Sequence, residues 1–246
     1  MGMMKTSIAL FLIAACGGGG GNSTDGGGSG SNKPADARVF LDAPPNVPAM
    51  ITIAGTALDS GANTSVPLAG VAIALLKTSD DSMLATATSG ADGKYSLPVT
   101  TNGLVVDAYI TATKSGYAPA ATFPAAPFQA DTSTADSNLV TSGNYAALSI
   151  FSGQTTGMGF AVVAILDANQ MPVQGATVSS TPAGTYKYMQ NNTPSGTVST
   201  DTDGAAFFVN LTPGMVTVSA SKSGSVFKSH SIKALANTFT SSVITE

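Results

Sequence analysis

An all-β fold of two tandem β-sandwiches, joined by a linker with one short helix, is predicted by three observations. A three-part motif occurs twice in the same order. Around each copy, apolar and polar residues alternate with period two, as strands buried on one face require. Gly, Pro and Asp-Gly turn signals punctuate these runs, and the first copy holds no segment with a helical period.

The first copy of the motif reads Pro67-Leu68-Ala69-Gly70-Val71, then Ala91-Asp92-Gly93-Lys94-Tyr95, then Lys114-Ser115-Gly116. The second reads Pro172-Val173-Gln174-Gly175-Ala176, then Thr202-Asp203-Gly204-Ala205-Ala206-Phe207, then Lys222-Ser223-Gly224. Gly70 to Gly175 is an offset of 105, Asp92 to Asp203 of 111 and Lys114 to Lys222 of 108. The drift falls between anchors, as two copies with hairpins of different length would show. Pro presets φ and Gly allows φ above zero, so Pro-x-x-Gly marks a turn before a strand. Asp-Gly followed by aromatic and apolar residues predicts a β-hairpin. Chance similarity between Gly-rich segments is the alternative; three anchors in one order favour duplication.

These anchors resemble those of the carboxypeptidase regulatory-like domain family, over roughly 50–123 and 158–245. The resemblance implies Ig-like, transthyretin-like β-sandwiches. It says almost nothing about function, because such modules accompany many different proteins.

The chain has 246 residues, enough for two modest domains. Hydrophobic residues make up 43% and charged residues only 10%. The formal charge is −4, or −5 once Lys5 is removed with a signal segment. With no basic run of five or more residues, nucleic acid is excluded as an expected partner.

Residues 1–15 read as a signal peptide: Lys5 precedes the apolar run Ile8–Ala15, too short to span a bilayer. Ile13-Ala14-Ala15-Cys16 resembles a bacterial lipobox, which implies cleavage before Cys16 and lipid attachment there. An ordinary signal followed by a free cysteine is the alternative. A lipid-anchored protein of the bacterial cell envelope is therefore expected. Gly17 resembles the residue that follows the cysteine in outer-membrane lipoproteins of Gram-negative bacteria. Residues 16–49 form a lipidated cysteine and a Gly/Ser/Pro-rich tether; the low-complexity Gly17–Lys33 stretch alone has a reach of roughly 20–25 Å.

Residues 50–124 are expected to form the first sandwich, with alternation at Ile51/Ile53, Val71/Ile73/Leu75, Tyr95/Leu97 and Val106–Ala112, and a hairpin at Asp80-Asp81. Residues 119–137, rich in Pro, Ala, Asp, Ser and Thr, read as linker, and the linker as a whole spans 125–157. Within it, Ser142 is a candidate N-cap and Gly153 a candidate stop for a short helix with Ala147, Leu148 and Phe151 on one face; a strand is the alternative. Residues 158–246 are expected to form the second sandwich, from Phe160 to Ile244.

Catalysis is not expected. The one histidine, His230, lies between Ser229 and Ser231, and neighbours on a strand point to opposite faces. Some transthyretin-like sandwiches are iron dioxygenases with two Tyr and two His ligands, a set that one histidine cannot supply. Asp201-Thr202-Asp203-Gly204 opens like a calcium loop, but position 212 is Thr and Gly204 is followed by Ala and Phe, so a turn is the better reading. No metal and no cofactor is expected.

The segment Tyr186–Gly196 is the clearest departure of the second copy from the first. Tyr186 and Tyr188 share one face if they lie on a strand, and Asn191 and Asn192 belong to a polar tip. These four residues are the candidate interaction site, with core or edge packing of the rings as the alternative. The function expected is a non-enzymatic structural or protein-interaction module, anchored through its lipid, with an envelope protein as partner. A carbohydrate-binding module is the other reading, with Tyr145, Tyr186 and Tyr188 as its stacking rings.

Overall fold

The computed structural model describes residues 46–61, 65–190, 193–195 and 198–246. The signal segment, Cys16 and most of the tether lie outside these residues, as do Asn191 and Asn192.

In the first half, β1 (Met50–Asp59) and β5 (Lys94–Thr100) pair antiparallel, with β2 (Val66–Pro67) and β8 (Ser137–Leu139) beside β1. Facing them are β3 (Ala72–Lys77), β4 (Met83–Thr88), β6 (Ala108–Thr113) and β7 (Ala120–Phe123), in the order β4-β3-β6-β7. The alternation read from the sequence is the one that packs: Ile51, Ile53, Leu97 and Val99 meet Ile73, Leu75, Ile110 and Ala112. Each large aliphatic side chain so enclosed contributes about 1.5–3 kcal/mol.

In the second half, β9 (Gly159–Leu166) and β13 (Ala205–Leu211) are flanked by β11 (Thr185–Gln190), β12 (Thr193–Ser195) and β16 (Phe239–Thr245). The facing sheet is β10 (Thr177–Thr181), β14 (Gly214–Ser221) and β15 (His230–Ala234). Val163, Ile165 and Phe208 meet Val178, Val216, Val218 and Ile232 between them. The all-β sandwich expectation holds.

The linker reading of 119–137 does not. Ala120–Phe123 forms β7, which pairs with β6 on one side and runs parallel to β16 on the other. The two halves thereby share a nine-stranded sheet, β12-β11-β13-β9-β16-β7-β6-β3-β4. Both faces of β6 and β7 are used: Ile110, Ala112 and Ala120 face the first core, while Tyr109, Ala121 and Phe123 face the second. The rings of Tyr109 and Phe123 stack at 4.6 Å. A strand buried on both faces has no polar/apolar alternation, and this one is mostly small residues between prolines. That is why it resembles linker in the sequence. Ser137–Leu139 is likewise a strand, not linker.

α1 (Ser142–Ser152) forms where the sequence places a helix. Its N-cap is Thr141, one residue earlier than expected, whose hydroxyl accepts the Asn144 N–H at 3.2 Å. Gly153 ends it with φ 75°. The buried stripe is Tyr145, Leu148 and Ser152 rather than Ala147, Leu148 and Phe151. Phe151 stays 68% exposed. Tyr145 meets Phe160 edge-on at 5.8 Å, so the helix covers the outer face of β9 and β13.

The repeated anchors make the same hydrogen bonds twice. The Ser89 hydroxyl donates to Leu68 O at 2.6 Å and accepts the Val71 N–H at 2.9 Å. The Thr200 hydroxyl donates to Val173 O at 2.6 Å and accepts the Ala176 N–H at 2.9 Å. Gly70 N–H reaches Ser89 O at 2.9 Å, and Gly175 N–H reaches Thr200 O at 2.8 Å. Asp92 accepts the Lys94 N–H and Asp203 the Ala205 N–H. Gly93 and Gly204 adopt φ 76° and 63° and press against backbone; a Cβ would lie 2.9 Å from Ala57 O and 2.7 Å from Ile165 O respectively. The Asp-Gly turns do not close tight hairpins, however. Asp92-Gly93 connects β4 to β5, which belong to different sheets, and Asp203-Gly204 ends the long connection that contains β12.

The halves differ in one strand. After β3 the chain turns at Asp80-Asp81 and β4 pairs back onto β3. After β10 it crosses instead, and β11 pairs with β13 in the other sheet. Among the described residues, no strand lies beside the outer edge of β10.

Candidate interaction surface

Tyr186 and Tyr188 sit on one face of β11, as the sequence predicts, but that face is turned toward the gap left beside β10. Tyr188 is 5% exposed. Its hydroxyl accepts the Val178 N–H at 3.0 Å, and the Tyr186 hydroxyl accepts the Ser180 N–H at 2.8 Å. Offsetting by 105, Val178 and Ser180 correspond to Ile73 and Leu75, the β3 residues that stand opposite Ala87 and Ala85 of β4. The two phenols thus occupy the places of a missing strand's carbonyls. Tyr186 also meets Phe208 edge-on at 5.3 Å. An unpaired edge invites another chain, and here side chains close it.

Tyr188 is therefore corrected from a recognition residue to part of the core, and Tyr186, half-buried, to the seam between the sheets. Tyr145 is committed to the α1–β9 contact. The carbohydrate reading loses the ring platforms on which it rested. The sequence did carry a signal for the seam: the β10–β11 connection, Pro182-Ala183-Gly184, lacks the Asp-Asp turn that folds β4 back.

A second polar assembly lies where the halves meet. Lys233 Nζ of β15 lies 2.5 Å from both carboxylate oxygens of Asp81, at the β3–β4 turn. The Tyr109 hydroxyl donates to the same carboxylate at 2.8 Å. The Lys233 bond, then the Tyr109 bond, hold the Asp81 carboxyl below its ordinary range. Burial, and then the Asp81 bond, push the Tyr109 phenol up. The sequence places Asp81 in a turn but does not pair it with Lys233, because residues 152 apart leave no periodic signal.

Beside this pair is a cleft of about 230 Å³, lined by Asp107, Phe123, Pro124, Pro127, Met215 and His230 among others. Burial lowers the His230 imidazole from its ordinary range, with Asp107 partly opposing. His230 is half-buried rather than fully solvent-facing. Neighbouring Ser229 bonds to Ser219 at 2.9 Å. Among the described residues, no three His, Cys, Asp or Glu side chains cluster as a metal site would require. At the calcium-like stretch, Asp201 accepts the Thr202 N–H at 2.8 Å and Gln174 Nε2 at 3.2 Å, and burial raises the Asp203 carboxyl. That is turn geometry. No described helix is long and apolar enough to cross a membrane.

No protein-family model and no curated protein matches the chain. Solved structures with partial likeness include pilins. A minor pilin of Streptococcus agalactiae is 13% identical, with a TM-score of 0.27, over 79% of this chain and 94% of that one. The shaft pilin SpaA of Lactobacillus rhamnosus GG is 12% identical, with a TM-score of 0.24, over 80% and 97%. A streptococcal ancillary pilin is 12% identical, with a TM-score of 0.26, over 80% and 62%. Likeness at this level carries no argument, and the fold assignment rests on the strands and pairings described above.

Proposed function

We propose that this chain is a non-enzymatic envelope lipoprotein, lipidated at Cys16 and held on the outer membrane by its Gly-rich tether. Its two tandem sandwiches of the carboxypeptidase regulatory-like type act as a structural or protein-interaction module. One observation carries the reading. Several of the chemistry-bearing side chains among the described residues bond internally: Tyr186 and Tyr188 cap an edge, Asp81, Tyr109 and Lys233 join the halves, and Asp92 and Asp203 shape turns. A scaffold whose polar groups bond internally is suited to presenting a rigid surface at the end of a tether.

Two measurements test this. Intact mass of the membrane-extracted chain is expected to show cleavage before Cys16 and an acylated N-terminus; a mature chain starting elsewhere, or a free thiol at Cys16, overturns the anchor. Crosslinking in the intact envelope is expected to give discrete protein adducts, with no saturable binding on a glycan array. Saturable glycan binding without protein adducts overturns the interaction reading.

A further inference from the structure

The two ends of the nine-stranded sheet are not alike. One end is β12, three residues long with Pro194 at its centre. A proline has no N–H to offer, and so short a strand is a blunted edge. The other end is β4, six residues reading Met83-Leu84-Ala85-Thr86-Ala87-Thr88, with no charge, proline or glycine. Among the described residues it pairs with β3 alone.

The backbone of β4 can be oriented from the second half. The N–H groups of Val178 and Ser180 leave β10 on the side away from β14, toward the two tyrosines. Their counterparts in β3, Ile73 and Leu75, stand opposite Ala87 and Ala85, so those alanines carry the β3 ladder bonds. Alternation then turns the N–H and C=O of Thr86 and Thr88 away from β3. Among the described residues no side chain is bonded to these outward groups, whereas the edge left open on β10 in the second half is capped twice by phenols. Met83 and Leu84, at the start of the strand, are 65% and 38% exposed.

We propose that β4 is a self-association edge, and that two copies pair β4 to β4 antiparallel about a two-fold axis. The occupant follows from the sheet ends. Head-to-tail stacking would need β12 to meet β4, and Pro194 and the three-residue length oppose it. An open edge can meet its own equivalent in a second copy, and that contact closes as a dimer rather than growing into a fibre. The chain as a whole is negative, at −4. β4 is neutral, so its self-pairing sets no like charges opposite each other. This inference is independent of the envelope reading, because it concerns only the sheet edge.

Sedimentation equilibrium of the full chain in density-matched detergent tests it. A concentration-dependent dimer is expected. Thr86→Pro removes one outward N–H and leaves the β3 ladder, so the dimer dissociation constant is expected to rise about tenfold or more at an unchanged melting temperature. Should that variant unfold, a charge pair decides: Thr86→Lys and Thr86→Glu each weaken the dimer alone, and an equimolar mixture of the two restores it. A chain that stays monomeric at every concentration overturns the proposal. So does a dimer indifferent to the charge pair, which would place self-association elsewhere, residues 1–45 included.

Discussion

The hydroxyl of Tyr188 accepts the backbone N–H of Val178 at 3.0 Å, across a gap that no described strand fills. In the first half the equivalent place is taken by β4. One sandwich therefore closes this edge with backbone and the other with two phenols, and the choice follows from which sheet the fourth strand joins. Removing a hydroxyl while keeping its ring isolates the cap. Tyr188→Phe is expected to cost about 1–3 kcal/mol, because the Val178 N–H is left buried without an acceptor. Tyr186→Phe is expected to cost less, since Tyr186 is only half-buried. The double variant Tyr186→Ala, Tyr188→Ala should lose more than about 3 kcal/mol. Urea unfolding checks all three; a double alanine variant with a near-normal melt would return both tyrosines to the surface.

The shared sheet makes a second expectation. Fragments 48–125 and 138–246 correspond to the two motif copies. Cutting between them removes β8 from β1 and parts β7 from β16, and it exposes the stacked Tyr109 and Phe123. Each fragment is expected to show a strand-type circular dichroism spectrum but to melt well below the full chain. The full chain is expected to unfold in one transition. Fragments that melt at the full-chain temperature would show that the β7–β16 seam contributes nothing.

How much of this was legible follows from the range of each signal. Alternation marked Ile51–Ile53, Ile73–Leu75 and Tyr95–Leu97, because those strands bury one face. The anchors marked the turns, because Gly93 and Gly204 need positive φ and Asp92 and Asp203 bond two residues ahead. β7 was illegible: Ala120, Ala121 and Thr122 are small, and burial on both faces removes the pattern. The strand switch at β11 is marked only by the missing Asp-Asp turn at Pro182-Ala183-Gly184, since the same alternation suits either sheet. Tyr186 and Tyr188 were correctly placed on one face, but the sequence could not say that this face meets β10. Lys233 and Asp81 meet only once β7 has joined the halves.

The glycines give a contrast within one protein. Gly93 and Gly204 combine positive φ with backbone contact closer than any Cβ tolerates, while Gly116 and Gly224 have φ 85° and 83° with nothing within 4 Å. Gly116→Ala and Gly224→Ala should lose only the conformational strain, about 1 kcal/mol. Gly93→Ala and Gly204→Ala add a steric clash with Ala57 O and Ile165 O and should cost clearly more. Four thermal melts decide it; equal losses in all four would mean that the packed turns yield without cost.

The Asp81–Lys233 pair should leave a signature in acid. The Asp81 carboxyl is held below its ordinary value of 3.8, first by the Lys233 bond. A carboxyl depressed in the folded chain stabilises the fold above the unfolded value and loses that contribution as pH falls through the folded one. Lys233→Met removes the ammonium and keeps a long apolar stem. At neutral pH it should cost no more than about 1 kcal/mol, because the Asp81 side chain is 45% exposed and solvent screens the pair. Below pH 3.8 the difference from the parent chain should shrink toward zero as both lose the charge on Asp81. His230 titrates in a separate window. Its folded value lies below 6.5 because burial disfavours the imidazolium, so stability is lost as pH falls from 6.5 through that lower value. His230→Gln should flatten this upper step and leave the acid step intact. Denaturant unfolding of the three chains across pH separates the two groups. A Lys233→Met difference that stays constant to the lowest pH would mean that Lys233 acts there through its stem alone.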